Sequence, residues 1–202
     1  FLRIPYAEAM DKYGSDKPDL RIPIELVDVS CVFKNSKFDI FKKQVDKGAV
    51  VKAIPVKSVA SGGKPFCESL LEYATSKSVG AKGLAYIIFH NNEASGKPIT
   101  NHLNAEEIEL IRQKCGLSDG DTVFFVCDKK DKADKIAGQV RLEIGERLSP
   151  DILTFSLSAM ETASVEGEDT QDESFIDKAI SEDPSISSIK KREAAFNVIV
   201  VP

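Results

Sequence analysis

Two histidines, four cysteines and a few glycine–lysine pairs are the residues of this chain whose types and spacing suggest chemistry. His90 stands in a turn-like His90-Asn91-Asn92, and His102 lies between a strand-like position and a helix cap. A metal site needs several ligands converging at suitable spacing, and neither histidine has them nearby in sequence. Both are expected to be solvated or hydrogen-bonded. Nucleophile–histidine sites are assembled in space, but no nucleophile context points to one. Cys31, Cys67, Cys115 and Cys127 contain no C-x-x-C pair. So few cysteines in a chain of 202 residues do not make a disulfide framework. Buried, reduced thiols are expected, with Cys31 and Cys127 acting as small hydrophobes in strand-like runs. Gly62-Gly63-Lys64 and Gly80-Ala81-Lys82-Gly83 lack the longer pattern, ending in Lys-Ser/Thr, of a phosphate loop. Ordinary turns are expected at both. Lys129-Lys130-Asp131-Lys132 is the basic cluster that stands out. Lys129, Lys130 and Lys132 are candidates to meet an RNA phosphate, against the plainer reading of a solvated helix start.

The elements that must position these residues can be read from periodicity. Pro5 suits a helix start. Tyr6, Ala9, Met10 and Tyr13 then share one face, and Gly14 can end the helix in the left-handed region. Residues 24–30 alternate apolar and polar and read as a half-buried strand, and 49–56 as a second. A helix runs from Pro65 to Lys77, with Phe66, Leu70, Leu71 and Ala74 inward. Residues 84–89 are apolar on both faces and read as a central strand, with a short strand around Ile99. Asn104 and Glu107 make a capping box for a helix closed by Gly116. Residues 122–127 form another strand, and 132–148 a helix with Ile136, Val140, Ile144 and Leu148 inward. The class is α+β: a mixed, largely antiparallel sheet with about three helices packed on it.

Charge divides the chain. Of its 32 acidic and 27 basic residues, 11 and 4 fall in 151–202, so within a net charge of −5 the tail is strongly acidic and the body near neutral. A neutral body argues against a strong independent RNA site. Residues 158–183 are rich in Ser, Thr, Glu and Asp and poor in aromatics, which predicts a poorly ordered, dispensable segment. No apolar run is long enough to span a bilayer, which fits a cytoplasmic protein without membrane contact. Phe1 is not a natural start, so the chain is expected to be part of a longer protein.

The string 6–21, YAEAMDKYGSDKPDLR, resembles bacterial-type aspartyl-tRNA synthetases, where YGSDKPDLR lies between the catalytic core and an inserted domain. LRIPIELVDVS, KFDIF, VVKAIPV, VGAKGLAYI, ITNHLNAEEIELI, DGDTVFFVCDKK and IAGQVRLEIGERL follow in the order of that family's inserted GAD domain. The resemblance covers about residues 1–148. It divides the chain into a junction segment (1–21), a GAD domain (22–148) and an acidic tail (149–202) that does not match the family's return to its core. It implies a parent that forms aspartyl-adenylate from aspartate and ATP, with Mg2+, and passes aspartate to tRNA(Asp), typically as a homodimer. The chain itself is then a non-catalytic scaffold or positioning domain, without cofactor or metal residues of its own. Gly145-Glu146-Arg147 is similar to the end of the third class II motif, but its helical context makes this coincidence. Asp16, Lys17 and Asp19 are the residues expected to pair with the core, and Lys129, Lys130 and Lys132 those expected to reach tRNA. Two alternatives stand beside this reading. One is a free-standing protein- or RNA-interaction module with a GAD-like fold. The other is the GAD domain of a tRNA-dependent amidotransferase B subunit, which the YGSDKPDLR lead-in disfavours.

Overall fold

A computed structural model of the chain describes residues 2–59, 62–96, 98–148 and 198–201. The expectations for residues 158–183 of the acidic tail therefore lie outside the described residues. The elements run β1 (Leu2–Pro5), α1 (Tyr6–Tyr13), β2 (Val27–Asp28), α2 (Ser30–Phe33), α3 (Asp39–Val45), β3 (Val50–Val56), α4 (Gly63–Thr75), β4 (Ala85–His90), β5 (Glu93–Ser95), α5 (Ala105–Lys114), β6 (Thr122–Asp128), α6 (Lys130–Arg147) and β7 (Val198–Val201). Five strands form one antiparallel sheet in the order β2-β3-β6-β4-β5. β1 and β7 form a separate parallel pair, with Leu2 opposite Val198 and Pro5 opposite Val201.

Alternation along the strands divides the core in two. Phe124 and Val126 of β6 join Ile54 and Val56 of β3 under α4 and α6. Val123 and Phe125 join Val51, Ala53, Ile87 and Phe89 under α2, α3 and α5. Successive strand residues point to opposite faces, so one sheet supports two helical layers. The α+β class and the antiparallel pairing agree with the sequence pattern. The centre of the sheet is β6, however, and β4 lies one place from the edge. β4 is apolar on both sides because both faces are covered.

Several local expectations are corrected. Residues 22–26 keep their alternation, with Ile22, Ile24 and Leu26 buried, but ladder pairing is confined to Val27–Asp28 opposite Ala53 and Lys52. Residues around Ile99 form a 3₁₀ turn, Ile99–Asn101, after Pro98. α2 and α3, with four and seven residues, are too short to show a helical period. An aromatic cluster fixes them: the Phe33 and Phe41 rings lie 5.0 Å apart, and Phe38 and Phe41 4.9 Å. Cys31 is exposed on α2, not buried in a strand, while Cys67 and Cys115 are buried and Cys127 half-buried. All four are free thiols. Burial pushes the thiols of Cys67 and Cys115 up to about 12 and that of Cys127 to about 11.

Candidate functional site

The connector that carries the distinctive string is bound along α6. α1 ends at Gly14, whose φ of 66° is left-handed, as its position in the sequence predicts. The chain then crosses α6 at Gly138. A Cβ on Gly138 would stand 2.6 Å from the Gly14 carbonyl oxygen, so only glycine admits this backbone contact. One turn on, Arg141 is 1% exposed. Its Nε donates to the carbonyl of Ile24 at 2.6 Å, and its Nη2 to those of Ile22 at 2.6 Å and Asp19 at 2.8 Å. Its guanidinium lies 5.1 Å from the Tyr13 ring centroid. Burial lowers its pKa to about 10, so it remains a cation at neutral pH. Ile22 packs over Gly145, where a Cβ would collide with its side chain. Gly138, Arg141 and Gly145 thus share one helical face and hold residues 14–26 without a β-ladder. Leu26 N–H donates to the Lys12 carbonyl at 2.7 Å and closes the connector onto α1.

A second set of groups ties α1 to the sheet. Lys52, on β3, has a fully buried side chain. Its Nζ reaches Asp11 Oδ1 at 2.6 Å and the Asp11 carbonyl at 3.1 Å, with Asp134 Oδ1 at 3.4 Å. Lys130 bridges Asp11 at 2.9 Å and Asp134 at 3.1 Å. The Lys52 hydrogen bond holds the Asp11 carboxyl below its ordinary range, with Lys130 adding to it against some burial. A buried charge is tolerated only when paired, and here two lysines meet two aspartates.

These contacts decide where the residues singled out in the sequence stand. Lys130 is taken up by Asp11 and Asp134, and Lys132 by Asp128 at 3.4 Å. Lys129 precedes α6 as its cap and is exposed; its backbone N–H donates to Asp128 Oδ1 at 2.9 Å. Asp19 accepts Arg21 Nη2 at 2.7 Å, and this bond keeps its carboxyl below the ordinary range. Asp16 and Lys17 are exposed, and the Lys17 backbone N–H donates to Ser15 Oγ at 3.1 Å. His90 and His102 are exposed and distant in the fold's order, and the His102 ring lies 5.7 Å from that of Phe38. Among the described residues, no three His, Cys, Asp or Glu side chains converge on a metal position. Gly63 starts α4, and the neighbouring Lys64 pairs with Glu68 at 3.3 Å. Gly80 ends a turn at φ 71°. Gly145 and Arg147 lie on α6, where Arg147 Nε donates to Glu143 at 2.7 Å. These residues do not fit an ATP–Mg2+ site.

Arg141 and Lys52 are the residues that sequence reasoning missed. The spacing of Gly138, Arg141 and Gly145 on one helix face was the available signal for the first. A lysine within an otherwise apolar strand, 50–56, was the signal for the second.

The GAD domain family matches residues 41–137. The aspartate–tRNA(Asp/Asn) ligase of Rickettsia canadensis (strain McKiel) is 47% identical over 148 residues, 73% of this chain and 24% of that protein. The ligases of the same name from Rickettsia prowazekii (strain Madrid E) and Rickettsia felis are 47% and 45% identical over 149 and 148 residues. The chain spans about a quarter of the length of these curated relatives. The connector is bound by Gly138, Arg141 and Gly145, on the helix in which the matched range ends, so lead-in and domain form one unit: the chain carries a GAD domain and, over 148 residues, is similar to aspartate–tRNA(Asp/Asn) ligases.

Proposed function

We infer that this chain is the GAD-bearing part of an aspartate–tRNA ligase. Such a ligase joins aspartate to ATP as aspartyl-adenylate, releases pyrophosphate, and transfers the aspartyl group to tRNA. The observation that carries this is the 47% identity to the Rickettsia canadensis ligase over 148 residues. The names of the relatives include two tRNAs, for Asp and Asn, and we assign the same pair as substrates. ATP and Mg2+ act in the catalytic core of the ligase, and no residue of this chain is assigned to them. A homodimer in the cytoplasm is the assembly and location we assign to the ligase. Among the described residues no helix is long and apolar enough to cross a membrane.

Within the ligase, the chain acts as a positioning domain. Residues 1–21 are the junction, 22–148 the domain and 149–202 an acidic tail whose last strand, β7, pairs with β1 of the junction. Support comes from the connector's tight binding to α6. Asp16 and Lys17 are exposed on that connector and are the proposed contacts to the core. Asp19 acts there with its Arg21 partner. At the head of α6 the proposed tRNA contact narrows to Lys129, because Lys130 and Lys132 already meet carboxylates. The test is aspartate-dependent ATP–pyrophosphate exchange. The chain alone is expected to give background, and the protein from the complete reading frame is expected to exchange and to form aspartyl-tRNA. Robust exchange by the pure chain, or none by the complete protein, overturns this reading.

A further inference from the structure

Lys129 and Lys135 at α6 have no carboxylate partner among the described residues, but the densest run of such lysines lies on the opposite face of the sheet. Lys34, Lys37, Lys42, Lys43 and Lys47 fall within fourteen residues that hold only two carboxylates, Asp39 and Asp46. The segment is anchored from beneath: Val32, Phe33, Phe38 and Phe41 are buried in the aromatic core. This anchoring turns its polar residues outward. Lys34, Lys37, Lys43 and Lys47 are exposed and Lys42 is half-buried. Among the described residues, only Lys43 meets a carboxylate, Asp39 at 3.6 Å, with side chains 72% and 70% exposed. Such a pair is worth little. Ile40, 63% exposed, sits in the same turn and is the most exposed large apolar residue described. At the head of α6 the balance is different. Lys82, Lys130 and Lys132 are each within 4 Å of Asp11, Asp128 or Asp134, so that cluster is neutralised from within.

We propose that the α2–α3 face, through Lys34, Lys37, Lys43 and Lys47, binds the phosphate backbone of a structured RNA. The choice of RNA among polyanions rests on the ligase reading, which places a tRNA beside this domain. Lysine serves here as a flexible point charge, so the contact positions the RNA without reading its bases. Four phosphates neutralised by four lysines give a log–log salt slope of about −3, and binding stays near the non-specific range of roughly 10⁻⁴–10⁻⁶ M at physiological salt. A weak face of this kind acts when other parts of the protein hold the same RNA and raise its local concentration.

The experiment titrates labelled tRNA transcript with the full 202-residue chain across a salt series starting at about 50 mM, where phosphate contacts are strongest. Alanine at Lys34, Lys37, Lys43 and Lys47 together is expected to weaken binding at least about tenfold and flatten the slope by about 3. Arginine at the same four positions is expected to retain binding. Lys82→Ala with Lys132→Ala is expected to change it less than about twofold, because both of these lysines are already paired with Asp128. Thermal melts of each variant verify the fold, and the arginine set separates lost charge from lost structure. Unchanged affinity and slope in the alanine set overturns the proposal. So does equal binding to polyglutamate, which assigns the face to an acidic protein segment, or to phosphatidylserine vesicles, which assigns it to a membrane. Aspartyl-tRNA formation by the complete protein keeps the two readings separate. An active ligase indifferent to the four alanines sinks the face alone, and RNA binding through the face by a protein that forms no aspartyl-tRNA sinks the ligase alone.

Discussion

On the side of the sheet covered by α6, cations are parts of the packing. Arg141 and Lys52 are buried, and each is surrounded by carbonyls or carboxylates from elements far away in the chain. On the side covered by α2, α3 and α5, the buried contacts are between phenylalanines and aliphatic side chains, and the lysines remain outside. The same residue chemistry thus has two uses. A cation whose hydrogen bonds are already made is unavailable to a ligand, and its removal is read as lost stability. A cation held at the surface adds little to stability and is read through binding. Density of lysines along the sequence does not separate the two, because the neutralising groups arrive from elsewhere.

The sharpest way to break this comparison is Arg141→Leu. It leaves the buried carbonyls of Ile22 and Ile24 without a donor, which is expected to cost about 3 kcal/mol or more. Arg141→Lys is not expected to restore it, since an ammonium lacks the planar fork. A chemical-denaturation midpoint within experimental error of the parent would show that the connector is not held this way. Gly138→Ala comes next. The Gly14 carbonyl blocks a Cβ there, and the overpacking is expected to cost about 1–3 kcal/mol. Gly83→Ala, with nothing within 4 Å, serves as the neutral control.

On the other side, Asn104→Ala removes a capping box whose two bonds are both 2.8 Å, at about 1 kcal/mol. A loss as large as that of Arg141→Leu would contradict the view that this face rests on apolar packing. Acid sharpens the contrast further. Burial raises the Asp128 carboxyl, but the Lys129 N–H, Lys132 and Lys82 outweigh it and leave the pKa below the ordinary 3.8. The native state therefore binds fewer protons than the unfolded chain. The resulting stability is present above about pH 4 and is lost as pH falls through the lowered value. Asp128→Asn is expected to flatten the decline in melting temperature between about pH 5 and pH 2. The four outer lysines are expected to give the smallest effect on stability, within about 0.5 kcal/mol as alanines. A larger loss would mean that they are part of the packing after all.

Much of the fold is legible where a single period runs long enough. α4, α5 and α6 declare an inward stripe, and β3 and β6 an apolar run, because burial selects side chains at 3.6 or 2 residues. Gly14 and the Asn104 box are legible because left-handed backbone and unpaired N–H groups restrict residue type locally. Residues 24–30 mislead because alternation records only which side chains are buried. The carbonyls of Ile24 and of Ile22 just before it are satisfied by an arginine 117 and 119 residues away, a partner no local pattern reveals. Cys31 misleads because four residues of α2 are fewer than a period can distinguish from a strand. At the head of α6, the Lys130–Asp134 pair is visible as an i, i+4 spacing, whereas Asp11 joins it only through the fold.

Where Gly14 meets Gly138, main chain touches main chain with no side chain between to yield. Just beyond, three carbonyls share one planar guanidinium. Tension along the connector therefore cannot peel it away one bond at a time; it must shear the whole fan at once. Torque applied at β1 passes through α1 into α6 and the central strands before the connector can flex. In mechanical terms the connector and α6 behave as one clamped body rather than as a pendulum on a string.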